Sequence, residues 1–152
     1  MSVNDTLKRL GIEITTPTPP VGVFVPAVRV GDLWFLSGHI ATRGDRSWRG
    51  RLGGDMTTGQ GQEAARAATI DMLGTLQATV GDLDKVAKIV KLTVLVNSEP
   101  HFIEQHLVAN GASELLVEVF GAAIGAHART AFGVAQIPLG ACVEIDIVVK
   151  TR

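Results

Sequence analysis

The chain has 152 residues, of which 46% are hydrophobic, 19% charged and 5% aromatic, enough for one domain that buries about two-thirds of its unfolded surface unaided. A single cysteine, Cys142, excludes an intrachain disulfide and a multi-cysteine metal site. With 14 basic against 15 acidic residues, the net charge of −1 argues against a globally basic nucleic-acid binder.

Met1–Leu10 has no apolar core behind a basic start, as a signal peptide would. Apolar runs such as Leu115–Val119 and Ile145–Val149 fall short of the roughly 20 residues of a membrane span. We therefore expect a cytoplasmic protein with no membrane partner. The sparse charge and 17 glycines predict that part of the surface is hidden in an oligomer.

Val3–Leu10 reads as a short amphipathic piece, and Thr15–Pro20 as an extended connector rich in proline. Residues 1–20 are thus an N-terminal extension, and residues 21–152 form the domain. Val21–Val30 and Leu33–Ser37, separated by Gly31-Asp32, predict a β-hairpin. Arg43–Gly54 is a polar loop in which Arg43, Arg46, Arg49 and Arg51 crowd around Trp48. A helix follows, capped by Thr57 or Thr58, with Ala64, Ala68, Met72, Leu76 and Val80 on one stripe and Gly81 closing it.

Val86–Val96, nearly continuous in apolar residues, reads as a strand covered on both faces. A second helix spans about Phe102–Phe120, weakened near Asn110-Gly111, and Gly121–Ala126 is a loop. Arg129–Ala135 and Ala141–Val149 are strands joined through Pro138–Gly140, which predicts antiparallel neighbours. The order β-β-α-β-α-β-β predicts an α+β sheet with two helices on one face.

Phosphate-loop, dinucleotide-binding and nucleophile-elbow motifs are absent. Ser37 and His39 would share a face if their strand continued, which makes a nucleophile pair conceivable, although ordinary strand-end polar groups are the simpler reading. His101 and His106 lie five apart and read as surface residues, not metal ligands. Arg129 and Glu144 stand out, because each is a charge inside an otherwise apolar strand. Arg129 offers a planar fork for a carboxylate, and Glu144 can accept a proton or orient a water. A plain ion pair between them, within one chain or between subunits, is the alternative. Cys142 shares parity with Glu144; it is either a small packed hydrophobe or a thiol activated by Arg129.

The stretch from His127 to Asp146 carries Ala128-Arg129, then Ile137-Pro138, then Val143-Glu144-Ile145-Asp146. It resembles the signature of the Rid family of reactive intermediate deaminases, the YjgF-like or endoribonuclease L-PSP-like group. Leu36–Ile40 is similar to the family's Ser-Gly-Gln-Ile segment. The resemblance runs from about Val21 to Val149 and implies a chorismate-mutase-like subunit assembled as a homotrimer with clefts between subunits. It implies that Arg129 grips the carboxylate of an enamine or imine acid such as 2-aminoacrylate. Glu144 would position the attacking water, ammonia and a 2-keto acid would result, and no cofactor or metal is expected. The departures fall on the substrate-binding positions. Phe24 stands where a tyrosine is usual, His39 for glutamine, Ser113 for an asparagine of the second helix, and Ala131 for cysteine. Ser37 and Cys142 complete the expected binding set. Two other readings remain open: non-catalytic binding of a small carboxylated metabolite, and RNA binding or cleavage through the arginine loop, with nucleic acid the weaker of the two.

Overall fold

The computed structural model describes residues 1–152. A capping box closes the start of helix α1 (Val3–Arg9), where Ser2 accepts from the Asp5 amide and the Asp5 side chain answers. Leu7 of this helix reaches the core. Strands β1 (Ala27–Val30) and β2 (Leu33–Leu36) form the expected hairpin around Gly31-Asp32, although the first strand starts later than Val21. A short β3 (His39–Ile40) follows. The polar loop contains a small hairpin of its own, β4 (Thr42–Arg43) with β5 (Arg46–Ser47).

Helix α2 (Thr58–Val80) has the expected limits, with Thr57 in a capping box with Gln60 and Gly81 at positive φ beyond its end. The predicted stripe of Ala64, Ala68, Met72, Leu76 and Val80 is buried. Strand β6 (Val86–Asn97) leads into helix α3 (Gln105–Gly125), strand β7 (Ala128–Val134) and strand β8 (Val143–Thr151). Helix α3 passes through Asn110-Gly111 unbroken and continues beyond Gly121, whose φ of 76° kinks it. Gly111 is a contact point and not a breaker: a Cβ there would meet the Gln62 carbonyl, so only glycine lets α3 lie this close to α2. By length and a mean hydropathy of 1.5, α3 could cross a membrane. Its apolar residues Val108, Ala112, Leu115, Leu116 and Val119 are instead core residues packed with α2 and the sheet.

The sheet order is β1-β2-β8-β6-β7, with β3 pairing β8. The expected hairpin between the last two long strands does not form. β6 lies between them, parallel to β7 and antiparallel to β8, with α3 as the crossover. A twelve-residue apolar strand such as β6 makes a central strand for both neighbours, which no reading of adjacent segments reveals. Nor is β6 covered on both faces. Ile89, Leu92, Val94 and Val96 are buried, whereas Leu95 and Thr93 are only partly covered. Both long helices pack on one face of the sheet, as expected, and the other face is bare. There Val28, Phe35 and Phe132 are exposed at 51%, 44% and 44%.

Candidate functional site

Register assigns each predicted residue to a face. Arg129 pairs with Leu92, which pairs with the buried Ile147, so Arg129 points to the helix side. Glu144 pairs with Leu95 and Ile40, and Leu95 pairs with the exposed Phe132, so Glu144 points to the bare side. The two residues are therefore on opposite faces, two strands and three rows apart, roughly 14 Å between backbones. They form neither an intrachain ion pair nor a single site within one subunit.

Around Arg129 a polar cluster joins β7 to α3. Its Nη1 donates to Asn110 Oδ1 at 2.8 Å and to Ser113 Oγ at 3.2 Å, and its Nη2 donates to the His106 carbonyl at 3.1 Å. That leaves Nε–H and one Nη2 N–H for a ligand. His127 Nδ1 donates to the Gly125 carbonyl at 2.6 Å, so in the neutral ring Nε2 accepts from the Ser113 hydroxyl at 3.0 Å. The hydroxyl lone pairs then face Arg129. Ala131, two residues on, shares this helix-side face. In the sequence Asn110, beside Gly111, reads only as a weak point of the helix. Its spacing of three from Ser113 places both on one helical face, and that was the available signal.

Glu144 belongs to a second cluster. The chain leaves β2 at Leu36, so Ser37 and Gly38 lie outside any strand. A Cβ on Gly38 would collide with the Glu144 carboxylate, and the absence of a side chain lets the backbone lie against that carboxylate. Burial, with the like charge of Asp146 adding to it, raises the Glu144 pKa above the ordinary carboxylate value. The Ser37 hydroxyl donates to the Val25 carbonyl at 2.6 Å, and His39 Nδ1 donates to the Ser37 carbonyl at 3.0 Å. No Ser37–His39 nucleophile pair exists. His39 Nε2 meets Thr75 Oγ1 of α2 at 2.9 Å, and burial lowers the imidazole pKa, which favours the neutral ring. Phe24, Ser37, Gly38 and His39 line one cavity.

Cys142 joins neither cluster. It is fully buried in the core, and burial pushes its thiol up to about 11, the opposite of an activated nucleophile. The arginine crowd around Trp48 is also dispersed. Only Arg46 covers the indole, 4.1 Å from the ring centroid. Arg51 is tied to Glu99 Oε1 and to the Ser98 and Ala135 carbonyls, and Arg43 donates to the Glu13 carbonyl. His101 and His106 are exposed, and no group of residues in the chain has the arrangement of a metal site.

The model of the family described as "YjgF/chorismate mutase-like, putative endoribonuclease" matches residues 5–149. The chain belongs to the YjgF/Rid family. Protein TCP17 of Trypanosoma cruzi is 45% identical over 145 residues, which cover 95% of this chain and 91% of that protein. The Agrobacterium tumefaciens protein Atu1372, of unknown function, is 36% identical with a TM-score of 0.91, covering 99% of this chain and 92% of that one. A Shewanella oneidensis protein with the same endoribonuclease designation is 27% identical with a TM-score of 0.94, covering 99% of both chains. The α+β architecture read from the element order, and the chorismate-mutase-like subunit that the resemblance implies, are therefore those of the family.

Proposed function

We propose that the protein hydrolyses small enamine or imine acids to 2-keto acids and ammonia, in clefts formed where the Arg129 cluster of one subunit meets the Glu144 cluster of another. The observation that supports this reading is the separation of the two clusters. Each has the chemistry of half a site, and they lie on opposite faces of one sheet. The bare apolar face carrying Val28, Phe35 and Phe132 supports an assembly, and the family resemblance favours a homotrimer.

In this mechanism the two free N–H groups of Arg129 hold the substrate carboxylate. An enamine first tautomerises to its imine. Glu144 takes a proton from water as the oxygen bonds to the imine carbon. It passes that proton to the nitrogen to give a carbinolamine, then takes the hydroxyl proton and delivers it to the amine as the C–N bond breaks, so that ammonia leaves and the keto acid remains. A carboxylate with a raised pKa suits this exchange near neutral pH. Trp48 lies buried beneath Arg46, and Arg51 is tied to Glu99, Ser98 and Ala135, so the indole of the arginine loop offers RNA no free stacking surface.

The test is complementation. Glu144→Gln alone should lose roughly 10²–10⁴ of the rate on 2-aminoacrylate generated in situ. Arg129→Ala alone should lose about 1.5–3 kcal/mol of carboxylate binding. Unfolded together in equal amounts and refolded, the two variants should regain up to about a quarter of the parental activity, since a cleft drawing one residue from each variant is intact. Failure to regain activity refutes the shared cleft. A parent that binds keto acids but turns over no imine supports a binding protein instead.

A further inference from the structure

A cavity of about 250 Å³ opens on the helix side of β3, bordering the Glu144 cluster at Ser37 and Gly38. The N-terminal segment crosses α2 where the Thr15 carbonyl lies against Gly74, and Pro17–Val21 then roofs the cavity. Phe24 supplies apolar wall, while Asp71 and Thr75 come from α2. The volume suits a side chain and is too small for a nucleotide or an organic cofactor.

Asp71 is the unusual member. It is half-buried, yet it accepts no hydrogen bond and makes no ion pair in the chain. Its neighbours are otherwise engaged. Both ring nitrogens of His39 are bonded, to Thr75 and to the Ser37 carbonyl, and Arg43 donates to the Glu13 carbonyl. Burial raises the Asp71 pKa, and the nearby His39 and Arg43 offset that only in part, so a cation bound in direct contact would relieve the remaining cost. The rigid proline and phenylalanine walls would pack against a methylene stem. We propose that this cavity receives the substituent of the ligand, and that it selects chains ending in a positively charged hydrogen-bond donor, with Asp71 as the counter-ion. The inference rests on the reading above only for the placement of the ligand carboxylate on Arg129.

The probes are 6-aminohexanoate and hexanoate, titrated calorimetrically into the parent and into Asp71→Asn. The parent should bind 6-aminohexanoate at least about tenfold more tightly than hexanoate, as one charge-assisted hydrogen bond provides. Asp71→Asn should erase that preference and leave hexanoate affinity as it was. Should Asp71→Asn not fold, the His39 ring resonances of the parent provide a second reading, because 6-aminohexanoate should shift them. Equal affinities in the parent, a preference that survives in Asp71→Asn, or unmoved His39 resonances would overturn the proposal. Turnover of 2-aminoacrylate is scored separately, so loss of the deaminase reading and loss of this pocket give different results.

Discussion

Arg129 and Glu144 are both charges on β-strands, but their surroundings differ in kind. Three hydrogen bonds tie the guanidinium of Arg129 to α3, and one of its acceptors, Ser113, is itself oriented by His127. Glu144 accepts no hydrogen bond in the subunit, lies against bare backbone at Gly38, and has a raised pKa. The contrast follows from the work each would do. A binding cation gains from a fixed direction, because no ordering is left to do when the ligand arrives. A base must keep its lone pairs free and its pKa near the working pH, and strong donors would defeat both.

Three substitutions probe that contrast. The largest effect belongs to Gly38→Ala, whose Cβ would push the Glu144 carboxylate out of its present position. Turnover should fall by roughly 10²–10⁴, as if the base were lost. Calorimetric affinity for a keto acid should stay within about twofold of the parent, since Arg129 is untouched. Full turnover in this variant would mean that Glu144 is not the base. Ser113→Ala acts on the other half. It removes one acceptor from Arg129 and should weaken carboxylate binding by about 0.5–1.5 kcal/mol, seen as a raised KM at constant kcat. A fall in kcat instead would show that the Arg129 cluster takes part in the chemical step. The smallest effect is that of Asp146→Asn. Glu144 acts as a base when ionised, so its raised pKa places the acid limb of the pH–rate profile above the ordinary carboxylate range. Removing the like charge of Asp146 lowers that pKa, and the limb should move to lower pH. A limb that does not move would assign it to another group.

The limits of α2 were readable because caps and stripe agree: Thr57, Gly81 and the row from Ala64 to Val80 all point to one helix. The charge of Arg129 and Glu144 inside apolar strands was readable for the same reason, as a local conflict. Their mutual geometry was not. Pro138–Gly140 reads as a hairpin turn, yet pairing is decided by which strand buries more against its neighbours, and β6 takes the place between β7 and β8. Contacts between distant segments explain the other misses. Asn110 gains its meaning from a strand 19 positions away, and Gly111 from the backbone of α2. Asp71 is a lone aspartate on a helix and reads as solvated in the sequence; only the fold shows the proline-rich segment roofing it.

The placement of Arg129 and Glu144 on opposite faces also bears on how output scales with abundance. In the proposed assembly a solitary subunit is folded but chemically silent. Specific activity should therefore hold steady in concentrated solution and collapse on dilution below the dissociation constant of the assembly. In that dilute range, doubling the amount of protein more than doubles the rate.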